Sequence, residues 1–306
     1  MIAIDLLTLR SDALSVVIAQ GAGMPEILSV GPAIDGFVHD VAGQPVPHAT
    51  VDAPVPIGII AEAATGYSGR PGLQGSRPDG TGWAPRFTCT GTDRPDQRSA
   101  VFHLTDDVAA LELTLTVAVD HVMTIGARLT NRGTTPYAVL HLAPSVPMPE
   151  HATDLLSFTG RWCREFQPNR TPFESNTLVE NRAGRTSHAN MPALYAGTGG
   201  FGEQRGEVWG VQLAWSGNYA LLAQQLPDGR RHIQAGELLD PLEVELAPGE
   251  SYTAPDVVVA WSDHGLSGAS HAFHRTVRAS LPSSGARPVI LNTWEAVYFD
   301  HRLDTL

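Results

Sequence analysis

Between Leu111 and Val119 every second residue is apolar: Leu111, Leu113, Leu115, Val117 and Val119 alternate with Glu112, Thr114, Thr116 and Ala118. That period of two predicts a strand with one face buried. Met123, Ile125, Ala127 and Leu129 repeat the pattern, and Asn131-Arg132-Gly133 then offers a turn before a further apolar run from Tyr137 to Leu142. The three runs read as an antiparallel meander. Further strands are predicted at Val208–Trp215, Tyr219–Gln225, Arg231–Ala235, Leu242–Leu246 and Val257–Trp261, with turn residues at Ser216-Gly217-Asn218, Pro227-Asp228-Gly229 and Pro248-Gly249. Near the start, Leu14–Ala19 and Ile27–Val30 are short strand-like runs, and Asp40–Gly43 resembles a hairpin turn. Gly66–Pro85 reads as a long loop around Trp83, and Pro144–Tyr195 as irregular. So many short strands with little intervening helix predict an all-β fold, a large two-sheet antiparallel sandwich.

Two stretches break this rhythm. Leu266, Ala269, Phe273 and Val277 fall at spacings of three and four, which predicts one amphipathic helix over Leu266–Ser280, capped by Ser262 or Asp263 and ended by Pro282. Beyond it, Val289-Ile290-Leu291 is a continuous apolar run behind Pro288, the pattern of a strand buried on both faces in a parallel sheet. Such a strand needs a crossover and a partner, and the sequence stops at Leu306. We therefore expect one domain over residues 1–282, then a linker and the opening strand of a second, truncated domain over 283–306.

Composition narrows the functional classes. Hydrophobic residues make up 42% of the 306 and charged residues 17%, the balance of a folded globular chain. A formal charge of -12 disfavours nucleic acid and anionic membrane as partners and suits a neutral ligand. Cys89 and Cys163 are far apart, and neither sits in metal-ligand spacing, so both are expected as free thiols with no metal site and no cofactor. The N-terminus has no basic region followed by a long apolar run, and no stretch approaches a membrane span, which makes the cytoplasm the default compartment.

Several separated segments carry a family resemblance. They are Gly69-Arg-Pro-Gly-Leu73 with Trp83-Ala-Pro85, Gly160-Arg-Trp-Cys-Arg-Glu165, Gly184-Arg-Thr-Ser-His188, Gly206-Glu-Val-Trp-Gly210 with Trp215-Ser-Gly-Asn218, Ala247-Pro-Gly-Glu-Ser251 and Asn292-Thr-Trp-Glu-Ala-Val-Tyr-Phe-Asp300. Their order along nearly the whole chain resembles the family-36 glycoside hydrolases, the α-galactosidases. The resemblance implies an N-terminal β-supersandwich followed by a (β/α)8 barrel, with the strand before Trp294 as an orphan first barrel strand. It implies that the rest of the barrel is missing, together with the aspartate pair that serves as nucleophile and acid/base. Retaining glycosidases hold such a pair about 5 Å apart. Taken alone, the chain is then expected to be inactive toward α-galactosides, its parent enzyme to be a homo-oligomer, and its partners to be α-galactoside sugars and the absent barrel.

The resemblance also singles out residues. It implies that Trp294, at the C-terminal end of the expected barrel strand, walls a galactose pocket, since an aromatic face packs on the apolar face of a sugar. Trp162 is implied to reach substrate from the sandwich, Trp83 to line the pocket of a neighbouring subunit, and Asp52 to supply an acidic contact. Each tryptophan also has an architectural reading, as a core side chain or a loop anchor. His188 has no carboxylate partner identifiable in the sequence, and the segment departs from the family pattern at Ala189-Asn190-Met191-Pro192, so a structural histidine is the better reading. Two rival functions remain open: a free-standing carbohydrate-binding or assembly sandwich, and a sugar mutarotase, which would need a histidine and a carboxylate converging in one cleft.

Overall fold

A computed structural model of the chain describes residues 5–32, 55–281 and 288–304. The hairpin expected at 40–43, the candidate Asp52 and the linker at 282–287 lie outside the described residues. The chain runs β1 (Asp5–Arg10), β2 (Ser15–Gln20), β3 (Glu26–Gly31), β4 (Leu73–Ser76), β5 (Thr88–Asp93), β6 (Ser99–Asp106) and β7 (Leu111–Val119). It continues through β8 (Met123–Asn131), β9 (Tyr137–Leu142), β10 (Ser145–Met148), β11 (Asp154–Arg161), β12 (Arg164–Pro172), β13 (Thr177–Asn181) and β14 (Ala193–Gly197). Last come β15 (Val208–Leu213), β16 (Tyr219–Gln225), β17 (Arg231–Glu237), β18 (Val244–Leu246), β19 (Ser251–Thr253), β20 (Val257–Ser262), α1 (Gly265–Ser280) and α2 (Trp294–Val297).

One ten-stranded sheet forms a whole layer, in the order β12-β11-β14-β15-β20-β8-β7-β6-β5 with β19 also paired to β8. Three short sheets, β1-β2-β3, β10-β17-β16-β13 and β18-β9-β4, complete the sandwich. In this second layer β3 packs on β10 and β9 on β17. Every pairing within the four sheets is antiparallel. Of the meander read from the sequence, β7 and β8 pair as expected and the alternation is the burial pattern of β7 itself, but β9 crosses to another sheet, between β18 and β4. Leu104, Leu113, Leu115, Ile125, Leu129, Tyr137, Val139, Leu221 and Ile233 all lie in one continuous apolar core that joins the four sheets.

Four local expectations are corrected. Gly66–Pro85 is not all loop but holds β4, paired with β9. Pro144–Tyr195 is not irregular but holds β10 to β14. Alternation could not reveal these strands, because β12 is exposed or nearly so along its length and β14 is buried on both faces. Leu242 is not part of a strand; it stands exposed at φ 65° ahead of β18. Val289-Ile290-Leu291 forms no strand either, and all three side chains are exposed. A strand is held by backbone hydrogen bonds to a neighbour, and no described strand lies beside this segment. The helix lies where expected, but it buries Ala269, Ala272 and Phe273 while Val277 is exposed. Its first N–H groups are satisfied by the Gly202–Gly206 loop through Gly265 N to Gly206 O (2.9 Å), Leu266 N to Gly202 O (3.0 Å) and Ser267 N to Glu203 O (2.8 Å). Ser262 Oγ accepts the His264 N–H at 2.9 Å just outside it. No helix among the described residues is long and apolar enough to cross a membrane.

Candidate functional site

Strand alternation puts Gln224 of β16 and His232 and Gln234 of β17 on the face turned away from Leu221, Ala223, Ile233 and Ala235, which enter the core. The Gly69–Gly72 segment crosses that face. Gln224 Oε1 accepts the Arg70 N–H (3.0 Å), and Gln234 Nε2 donates to the Arg70 carbonyl (3.2 Å). Each glutamine is held in turn by a buried imidazole. His232 Nε2 lies 3.2 Å from Gln224 Oε1 and 2.7 Å from the Tyr67 hydroxyl, and His141 Nε2 lies 3.0 Å from Gln234 Oε1.

The glycines on either side of Arg70 leave no freedom. A Cβ on Gly69 would meet the Tyr67 hydroxyl and Gln224 Oε1 at about the length of a hydrogen bond or less, and one on Gly72 would meet the Ala143 carbonyl at 2.9 Å. Pro71 fixes the φ angle between them. Arg70 is thereby the one long side chain of a clamped segment. Burial lowers its pKa, the nearest balancing charge is Glu180, and its guanidinium makes no hydrogen bond among the described residues. A partly desolvated guanidinium with open donors is a ligand contact in search of acceptors. Beneath it, burial, with Arg70's own charge as a second cause, holds His141 neutral down to about 4; burial, with Arg230, does the same for His232. The cradle therefore grips Arg70 without placing a second positive charge under it.

Glu180 leads from this cradle to the exposed loops. Its carbonyl accepts from Asn190 Nδ2 at 2.9 Å, and Asn190 is bridged to Thr159 of β11. At the tip of the β11–β12 hairpin Trp162 is 75% exposed, and it meets His188 edge-on at 6.3 Å between ring centroids. Glu165 Oε1 lies 4.0 Å from His188 Nδ1 and accepts the Cys163 N–H at 3.0 Å. The loop carrying His188 is fastened to the Trp215–Asn218 turn by Thr186 N to Ser216 O (2.7 Å) and Gly184 N to Asn218 Oδ1 (2.8 Å). Three segments singled out in the sequence, 160–165, 184–188 and 215–218, thus converge at one end of the sandwich. His188 does have a carboxylate neighbour, but both side chains are open to solvent and stand on loops rather than in a cleft.

The other candidates are placed apart. Trp83 is 65% exposed in the turn after β4. That turn is fixed by other groups: Arg77 donates to the carbonyls of Thr135 (2.6 Å) and Ala109 (2.7 Å), and Tyr137 Oη donates to the Gly82 carbonyl (3.1 Å). Trp294 opens α2, is 46% exposed and packs only locally, at 5.6 Å from Tyr298 and 5.0 Å from Phe299. Cys89 and Cys163 are free, and no group of three His, Cys, Asp or Glu among the described residues is arranged to hold a metal ion. Sequence reasoning missed Arg70, Gln224 and Gln234. The signal was present in Gly-Arg-Pro-Gly and in the alternation of His232 and Gln234 with Ile233 and Ala235.

Two family models match the chain in succession, the glycosyl hydrolase family 36 N-terminal domain over residues 23–247 and melibiase over 251–306. An α-galactosidase of Escherichia coli is 38% identical over 290 residues, a stretch that is 91% of this chain and 40% of that protein. The α-galactosidase AgaA of Geobacillus stearothermophilus is 33% identical over 209 residues, 64% of this chain and 28% of the relative. The crystal structure of AgaA superposes with a TM-score of 0.84 at 25% identity, over 97% of this chain and 46% of that one, and a variant of it in complex with stachyose superposes at 0.82. The chain thus spans less than half the length of the relatives it matches.

Proposed function

Because this chain belongs to glycosyl hydrolase family 36, we propose that it is the N-terminal portion of a retaining α-galactosidase, a sandwich that holds and shapes the sugar site while the reacting carboxylates come from a barrel. The carrying observation is the succession of the two family matches, the N-terminal module over residues 23–247 and melibiase over 251–306. In such an enzyme one aspartate attacks the anomeric carbon of a terminal α-galactoside while a second protonates the leaving oxygen, about 5 Å away. The sandwich's part is recognition. Trp162 offers an exposed indole to the apolar face of a sugar, Arg70 offers guanidinium donors to hydroxyl oxygens, and Trp83, Trp294 and Asp52 are the further contacts we assign. Trp83 serves this role across a subunit boundary in a homo-oligomer. We divide the chain at 282/283. What supports this division is that α1 packs on β15 and β20, so the sandwich continues to the end of that helix.

The purified chain is expected to release no aryl alcohol from an aryl α-galactoside above the buffer rate; turnover at enzyme-like rates would overturn the assignment of the catalytic pair to a barrel. A second reading, a sandwich that binds sugar unaided, is favoured by the open Trp162 and by the Arg70 guanidinium, which makes no hydrogen bond among the described residues. Calorimetric titration of the chain with raffinose separates the two: heat that saturates, and that Arg70→Ala abolishes, supports unaided binding.

A further inference from the structure

Strand β8 changes partner along its length. Its Arg128 pairs with Thr253 of β19, while Ile125 pairs with Val257 of β20. Between them Ala254-Pro255-Asp256 leaves the sheet, tied down by Ala254 N to Ala127 O and Ala214 N to Asp256 O, both 2.9 Å. Gly126 lies beneath, where a Cβ would come within 3.1 Å of Asp256 Oδ1. Two hollows meet at Thr253 and Asp256. One, of about 580 Å³, is walled by Trp215, Glu237, Glu243 and Tyr252; the other, of about 360 Å³, is floored by Thr114, Thr116, Thr124 and Arg128. Both fall within the size range of small-ligand sites. Neither shares a lining residue with the Arg70 cradle or the Trp162 hairpin.

The groups in this groove are fixed, yet they keep capacity to spare. Trp215 is 40% exposed, and its indole edge lies so close over Gly217 that a Cβ there would come 2.5 Å from Nε1, which holds the ring against the turn. The same turn uses Ser216 and Asn218 to fasten the His188 loop, so Trp215 is the member left to the groove. Tyr252 Oη donates to Glu237 Oε2 at 2.5 Å and the Asp240 N–H donates to Glu243 Oε2 at 2.8 Å, and among the described residues the second oxygen of each carboxylate accepts no hydrogen bond. The carboxylate of Asp256 makes no hydrogen bond or ion pair among the described residues, and burial raises its pKa. Across Asp256 the threonine hydroxyls and the Arg128 guanidinium supply donors.

An aromatic plate beside oriented acceptors, with donors a few residues away, complements a molecule that has an apolar C–H face ringed by hydroxyls. An organic cation would use the plate and the acids but leave the threonine and arginine donors facing nothing. We propose that this groove is a second carbohydrate-binding surface, which takes a neutral oligosaccharide with one ring on Trp215 and hydroxyls on Glu237, Glu243 and Asp256. The inference stands on the sandwich alone and does not depend on the galactosidase reading.

The test is an amide and indole NMR titration of the whole chain with stachyose. The indole N–H of Trp215 and the amide of Gly126 should shift together and saturate in the millimolar range, where shallow sugar sites of about 4 kcal/mol lie. Trp215→Ala and Asp256→Asn, both at exposed positions, should each weaken binding about tenfold, whereas Arg70→Ala should leave these shifts unchanged. Should one variant misfold, the other reads the same site. Absence of saturating shifts at the groove overturns the proposal. So does loss of binding in Arg70→Ala but not in Trp215→Ala, which would move the sugar to the Arg70 face and leave the galactosidase reading standing. Groove shifts that follow spermidine instead of stachyose mark a cation site, and shifts that follow protein concentration without sugar mark a contact between copies; either result also overturns it.

Discussion

Arg70 shows how much structure can be spent on one side chain. Two glycines, a proline, two glutamines and two buried imidazoles fix its backbone, while its guanidinium makes no hydrogen bond among the described residues. The imidazoles have a measurable consequence. Their folded-state pKa values of about 4 lie below the ordinary 6.5, so the unfolded chain binds protons that the folded chain refuses between those limits. Stability is therefore full above about pH 6.5 and falls as the pH drops toward 4. Between pH 7 and pH 5 each ring should remove about 2 kcal/mol. Glu62 acts in the opposite direction, because burial raises its carboxyl to about 7 and the folded state must hold a desolvated carboxylate above that pH. Glu26, Glu237 and Asp256, which burial also raises, act the same way, so the expectation is a difference: from pH 7 to pH 5 the urea midpoint should fall further in Glu62→Gln than in the parent. An equal change in the two proteins would show that the Glu62 carboxyl does not titrate in this range.

At the scale of elements, α1 is the piece whose membership matters most. It covers β15 and β20 through Ala269, Ala272 and Phe273, in a small apolar cluster with Leu156, Tyr195 and Val208 that is separate from the main core. Phe273 also fits above Gly210, where a Cβ would come 3.1 Å from its ring. Phe273→Ala should cost about 3 kcal/mol, the usual range for emptying a buried aromatic site, read as a shift of the urea midpoint. A loss below about 1 kcal/mol would mean that α1 only rests on the sheet. The β11–β12 hairpin is the converse case, for β12 buries almost nothing. Its tip is shaped by Cys163 and Phe166, both at left-handed φ (59° and 54°), which is uncommon for such residues.

For the molecule as a whole, the strongest expectation concerns residues 288–304. Val289, Ile290, Leu291 and Phe299 are exposed there at 80% or more, an apolar stretch that a sandwich has no means of covering. If the chain divides at 282/283, removing everything after Leu281 should leave the unfolding midpoint unchanged and improve solubility. A midpoint lowered by several degrees would show that the last residues belong to the sandwich.

Much of this protein was legible in its sequence. Alternation gave β7 and β8, because a sheet with one face in the core and one in water imposes a period of two on its residues, and apolar runs between turn residues gave β9, β15 to β18 and β20. Spacings of three and four gave α1 for the corresponding reason. The family likeness was carried by glycine, tryptophan and arginine segments. What the sequence could not settle was what pairs with what. The strands β12 and β14 each have both faces alike and so leave no alternation to read. The strand expected at 289–291 depends on a neighbour that its own residues do not encode. Arg70 lies 154 residues from Gln224 and 164 from Gln234 along the chain, and only the packing of the 69–72 segment across β16 and β17 makes them one site. Local pattern reports which face a residue prefers; the tertiary structure decides which other residue it meets there.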